Sequence, residues 1–240
     1  MKKALLIGNN YTGQSCQLSG CINDVTAIQN ILLTKYKFPK TNVRMITDAS
    51  KQTTLNEMNL LMQGAKLGDT LFFYYSGHGQ QIPNANGTTF NEAIYTCDLQ
   101  YILDSDFFNI MVSKTNKAKL VMCYDCCHSG DLGDLVHNVR YDPTHINNYY
   151  YWSIPHKEVS DNIIIFSGCQ DYQTSTDGTF ELKKNGAFTY NFLNALLKNN
   201  YKLTNLKLLQ DIYKGLSASK YKQIPQLSCS QLPLFNTFFL

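Results

Sequence analysis

The sequence predicts a single α/β domain: a mostly parallel central sheet with helices on both faces. Three observations carry that expectation. Strand-like apolar runs alternate with amphipathic segments along the chain, and two helices follow near its end. Three of the runs, Thr70–Tyr75, Ala118–Tyr124 and Ile163–Phe166, are apolar on both parities, as in strands covered on both faces. The 240 residues are 44% hydrophobic, enough for a substantial core, and show no fixed-period repeat, low-complexity tract or Pro/Gly/Ser linker that would divide them.

The elements follow in order. Ala4–Ile7 reads as a buried strand. Val25 to Tyr36 reads as a helix, with Val25, Ile28, Ile31, Leu32 and Leu33 near one face. Val43–Ile46 is a short strand. Thr54 with Glu57 three residues on has the form of a capping box, and Leu55, Met58, Leu61, Met62 and Ala65 continue a helix from it. After the three buried runs come helices at Ala187–Leu197 and Leu203–Leu216. The stretch 131–161 lacks periodicity and holds Pro143, Pro155 and three consecutive tyrosines, so a long surface loop is expected there.

Composition excludes several function classes. Only 16% of residues are charged and the net charge is +3, which fits neither a nucleic-acid-coating protein nor an acidic tail. Nineteen of the 21 basic residues are lysine, which argues against phosphate recognition through arginine forks. No window approaches 18 consecutive apolar residues, and the apolar start is too short for a signal peptide; neither a membrane nor a nucleic-acid partner is expected, and the default location is cytoplasmic. Eight cysteines are too sparse for a disulfide scaffold, leaving them as buried small hydrophobes, metal ligands or a nucleophile.

In open α/β sheets, sites form beyond the carboxyl ends of the strands. Here three strands run into polar clusters: Ser76-Gly77-His78-Gly79, Asp125-Cys126-Cys127-His128-Ser129-Gly130 and Ser167-Gly168-Cys169-Gln170-Asp171. A parallel sheet puts these ends on one edge, so a histidine and a cysteine 49 residues apart can meet. A free thiol titrates near ~8.5, and a neighbouring imidazole can take its proton and later protonate a leaving amine. A lone cysteine or histidine is more often a satisfied core residue. Two such clusters, each directly after a buried strand, favour catalysis. A zinc site through Cys123, Cys126, Cys127 and His128 is the weaker alternative, since a second ligand pair at matching spacing is missing. A nucleotide site after Ile7-Gly8 is weaker still, because its glycine spacing fits neither phosphate fingerprint.

Tyr75-Ser76-Gly77-His78-Gly79 and Asp125-Cys126-Cys127-His128-Ser129-Gly130 resemble the two catalytic motifs of the metacaspases, caspase-fold cysteine peptidases. The resemblance continues through Leu18–Asp24, Ser167–Ser175, Gly186–Thr189 and Pro225–Leu227, in order along nearly the whole chain. It implies a caspase-like fold over residues 1–240. Residues 1–130 would be large-subunit-like, residues 131–161 a linker loop and residues 162–240 small-subunit-like. It implies Cys127 as nucleophile, His78 as general base and acid, and the N–H groups of Gly79 and Cys127 as the oxyanion hole. The pocket for the residue before the scissile bond would be acidic, formed by Asp24, Ser76 and Asp125, for polypeptide substrates cut after Arg or Lys.

Calcium is a possible activator by the same resemblance. Two of the family's four acidic positions match as Asp104 and Asp134, while the other two read Asn91 and Ser105, so weak calcium dependence or none is expected. The resemblance further implies a monomer, and the basic residues of the linker make Arg140 or Lys157 the expected self-cleavage site. The chain begins almost at its first strand, so no Pro/Gln-rich or zinc-finger pro-segment is expected ahead of it. A catalytically weak or non-catalytic caspase-fold scaffold is the alternative function. A related peptidase cutting after Asn is disfavoured by the paired aspartates.

Overall fold

The structure is a computed structural model describing residues 1–83, 90–126, 135–145, 147–154, 161–168, 177–180 and 183–240. The chain opens with β1 (Lys2–Gly8), α1 (Cys21–Thr34), β2 (Val43–Thr47), α2 (Lys51–Met62) and β3 (Thr70–Ser76). A small antiparallel sheet follows, β4 (Gly79–Pro83), β5 (Phe90–Tyr95) and β6 (Tyr101–Leu103), then α3 (Asp104–Lys114) and β7 (Lys119–Asp125). The remainder comprises β8 (His137–Tyr141), β9 (Tyr149–Ser153), β10 (Asn162–Ser167), the hairpin β11 (Asp177–Phe180) and β12 (Lys183–Gly186), α4 (Ala187–Lys198), α5 (Asn205–Ala218) and β13 (Gln226–Cys229).

Eight strands form the central sheet in the order β2-β1-β3-β7-β10-β13-β8-β9. The first five are mutually parallel; β13, β8 and β9 add on antiparallel. Strand alternation sends Leu6, Phe72, Val121 and Ile164 into one core, closed by α1, α4 and α5. Leu5, Phe73, Met122 and Ile165 enter a second core, closed by α2 and α3. The expected two-faced α/β sheet is therefore present, and strands 70–76, 119–125 and 162–167 are buried as their sequences require.

Two expectations are corrected. The stretch 131–161 is not all loop: it contains β8 and β9, an antiparallel hairpin extending the sheet beyond β13. Its tyrosines defeat a two-fold apolar reading because they pack on both sides, Tyr149 beside Tyr141 and Tyr150 beside Trp152. The helix assigned to a capping box at Thr54 starts earlier. Ser50 is its N-cap, its Oγ accepting from Thr53 N at 3.2 Å, and Thr54 Oγ1 instead donates to Ser50 O at 2.9 Å.

Parallel register fixes the working edge. Gly8 pairs with Ser76 and Ser76 with Asp125, so the segments leaving β1, β3 and β7 emerge side by side. Gly77 N donates to Asp125 O at 3.3 Å, extending that contact one residue past the strand.

Candidate active site

His78 stands one residue beyond that last contact, half-buried. Its Nε2 lies 2.7 Å from Cys16 O. A carbonyl can only accept, so Nε2 carries a hydrogen, and in the neutral ring Nδ1 is the nitrogen with the lone pair for taking a proton. The histidine backbone is held as firmly. Its N–H donates to the Tyr11 hydroxyl at 2.9 Å, and its carbonyl accepts from the Tyr75 hydroxyl at 2.9 Å. Gly77 is needed for that approach, because a Cβ there would lie 2.4 Å from the Tyr75 hydroxyl oxygen. Gly79 follows at once as the first residue of β4, paired with Ile94.

Cys127 lies outside the described residues, as do His128, Asp134 and Lys157. The chain is described as far as Cys126, which is fully buried in the core under α2 and α3 and so offers no exposed thiol. Cys123 sits in the opposite core, beneath α1 and α4. The C-x-x-C pair is therefore divided by the sheet and cannot close on one zinc ion. Among the described residues, no three His, Cys, Asp or Glu side chains form a group able to hold a metal.

The three proposed pocket residues do come together. Asp24, in the first turn of α1, is completely buried, and Ser76 Oγ donates to its Oδ2 at 2.8 Å. Asn185 Nδ2 donates to Oδ1 at 2.9 Å, and Gly186 N reaches both oxygens at 3.1 Å. Burial, reinforced by the charge of Asp125, nevertheless raises the Asp24 carboxyl to about 8. Asp125, also buried, accepts at Oδ2 from Thr189 N at 2.9 Å and Thr189 Oγ1 at 2.6 Å. Thr189 gives its only hydroxyl proton to that carboxylate, so the Tyr74 hydroxyl donates to Thr189 in turn. Two carboxyl groups that repel each other when ionised are thus buried at one edge, an arrangement that favours a proton or an incoming cation.

Sequence reasoning found Asp24, Ser76 and Asp125 but assigned no role to Tyr11, Cys16, Asn185 or Thr189. Thr189 lay in view within the Gly186–Thr189 motif. Cys16 acts through its backbone carbonyl, which no side-chain pattern reveals. Of the calcium set, Asp104 begins α3. Its Oδ1 accepts from Ser105 N at 2.6 Å and its Oδ2 from Glu92 N at 3.1 Å. Asn91 is half-buried and Ser105 exposed. These three offer one carboxylate engaged by backbone donors and two neutral oxygens, a poor set for a hard dication. Arg140 lies within β8, between Gln226 and Tyr150, its guanidinium 4.8 Å from the centre of the Tyr150 ring.

Comparison with known proteins agrees with this architecture. The profile of the peptidase C14 caspase domain matches residues 1–235. Metacaspase-1A of Aspergillus oryzae is 32% identical over 95% of the chain and 68% of its own length. Metacaspase-1 of Schizosaccharomyces pombe is 32% identical over 95% and 67%. Metacaspase-1 of Cryptococcus neoformans is 31% identical over 100% and 64%, so the chain spans about two thirds of the length of these relatives. A crystallised protein of Geobacter sulfurreducens shares the fold with a TM-score of 0.71 at 20% identity, covering 98% of this chain and 97% of its own. No helix among the described residues is long and apolar enough to cross a membrane. With the caspase-domain match over nearly all its residues and the metacaspase relatives at about a third identity, the chain belongs to the metacaspases, caspase-domain cysteine endopeptidases.

Proposed function

We propose that this metacaspase hydrolyses peptide bonds after Arg or Lys, with Cys127 as nucleophile and His78 as its general base. The observation that carries the specificity is the buried Asp24–Asp125 pair on the same sheet edge as His78. An extended cationic side chain entering beside these carboxylates replaces the proton that the pair otherwise retains, and gains charge-assisted hydrogen bonds. The chain's two arginines, Arg44 and Arg140, lie in β2 and β8 and do not follow a strand end at this edge, which speaks against an Asp-cutting pocket.

In the proposed cycle, His78 Nδ1 takes the thiol proton and the thiolate attacks the scissile carbonyl carbon. The oxyanion is met by the N–H groups of Gly79 and Cys127, each such donor contributing roughly 3 kcal/mol of barrier lowering. Collapse breaks the C–N bond, His78 protonates the departing amine, and a thioester remains. Water, losing a proton to His78, then attacks the thioester and releases the acid and the thiol. The enzyme acts in this scheme as a monomer on polypeptide substrates, without obligatory calcium.

The test incubates wild type, Cys127→Ala and His78→Ala with fluorogenic peptides ending in Arg, Lys, Asp or Asn, with calcium or with chelator. The expected result is cleavage of the Arg and Lys peptides by wild type alone. Hydrolysis surviving in the Cys127→Ala protein, or cleavage confined to the Asp peptide, overturns the proposal. A folded wild type inert on all four supports a scaffold instead.

A further inference from the structure

Tyr11 combines features that a packing residue does not need. Its backbone φ is 53°, in the left-handed region that an aromatic residue adopts only when its surroundings enforce it. The enforcing group is Asp48, whose Oδ1 accepts from Asn10 N at 2.7 Å and Tyr11 N at 2.8 Å while Oδ2 accepts from Thr12 Oγ1 at 2.8 Å. These donors hold the Asp48 carboxyl below its usual range despite the desolvation of its site. The result is a fully buried phenol aimed at the sheet edge.

That phenol reaches His78 in two ways. Its oxygen accepts the His78 N–H at 2.9 Å while its own proton goes to Tyr95 O at 2.6 Å. Its ring lies 4.7 Å from the imidazole centre, tilted by 39°. The Tyr75 hydroxyl, 3.0 Å from the Tyr11 hydroxyl, holds the His78 carbonyl. The histidine peptide is clamped at both polar groups, one ring face is covered, and Cys16 O fixes the outer nitrogen.

We propose that Tyr11 is a positioning residue for His78: its hydroxyl and ring together hold the imidazole in the one orientation in which Nε2 is tied to the Cys16 carbonyl and Nδ1 is left to take a proton. This rests on the reading of His78 as the general base. Substrate binding belongs to the acid pair, so the phenol acts on turnover and leaves the Michaelis constant alone.

The experiment compares wild type, Tyr11→Phe, Tyr11→Leu, Tyr75→Phe and His78→Ala on an Arg-ending peptide, with kcat normalised to folded protein measured by calorimetry. Tyr11→Phe keeps the ring and loses the acceptor; kcat is expected to fall on the order of tenfold with KM within about twofold, and Tyr11→Leu to fall further. Tyr75→Phe removes one of the two donors to the His78 carbonyl, the Tyr95 N–H at 3.0 Å being the other, and lowers kcat in the same sense but less, so the proposal remains testable if one Tyr11 variant fails to fold. A Tyr11→Phe enzyme with kcat within about twofold of wild type overturns it, as does a loss appearing wholly in KM. If His78→Ala keeps wild-type turnover, the general-base reading itself fails; if His78→Ala is inactive while Tyr11→Phe is unimpaired, only the positioning role fails.

Discussion

Gly186→Ala sets two physical effects of opposite sign against each other. Gly186 has φ −64° and ψ 139°, an ordinary conformation for alanine. On backbone grounds alone the substitution stabilises by about 0.4–1 kcal/mol, through a less disordered unfolded chain. The structure predicts the reverse. A Cβ at this position lies 2.0 Å from Asp125 Oδ2 and 2.6 Å from its Cγ. Oδ2 is also the atom that accepts both Thr189 hydrogen bonds, at 2.9 and 2.6 Å. Restoring ordinary contact moves that oxygen, or the Gly186 backbone with its bond to Asp24, by more than an ångström. Losing two hydrogen bonds to a buried carboxylate costs about 3–6 kcal/mol, at roughly 1.5–3 each. That is a large share of the ~5–15 kcal/mol that holds a domain folded. In urea, with a slope of about 3 kcal/mol per molar, the midpoint falls by about 1 M or more. The same measurement in an Asp125→Ala background closes a double-mutant cycle, and there the penalty disappears. A Gly186→Ala protein as stable as wild type, or a penalty that persists without Asp125, refutes the reasoning.

Asp24 predicts a pH dependence of stability. Its carboxyl is raised from 3.8 to about 8, so between those values the folded protein keeps a proton that the unfolded chain has released. This contribution is therefore full below the unfolded value and is lost as pH rises through the folded one. Urea unfolding at about pH 5 and about pH 8.5 is expected to show wild type losing stability relative to Asp24→Asn, and equal losses in both proteins would contradict it. For calcium, turnover in chelator is expected to stay within about threefold of turnover with the ion, since two of the four positions are neutral; an all-or-none response in a kinetic titration would be decisive against this. Self-cleavage is expected at Arg140 or Lys157. Arg140 lies in a strand paired on both sides, so cutting there must follow release of β8 from both β13 and β9. Fragment masses after prolonged incubation tell the two sites apart, and an intact chain counts against both.

The sheet and its edge were legible because burial writes itself into composition. A strand covered on both faces, such as Thr70–Ser76, has no choice but continuous apolar residues, and the polar clusters behind such strands mark where the chain leaves the sheet. The acid pair was legible through the motifs that carry it. What escaped was contact made by backbone or by distant segments. The carbonyl of Cys16 at His78 leaves no trace in residue type. The Asn185 bond to Asp24 joins residues 161 positions apart, with no periodicity to announce it. The β8–β9 hairpin was missed because aromatic side chains pack acceptably on either side of a strand, which erases the alternation that normally reveals one.

The two pocket acids, Asp24 and Asp125, are both made well before the main-chain donors they rely on, those of Gly186 and Thr189. Strand β13, later still, is inserted between β10 and β8 rather than added at the rim. A chain halted before these residues therefore lacks the main-chain donors that hold Asp24 and Asp125. By this order of construction, the surroundings of the two acids are completed among the last parts of the protein to be made.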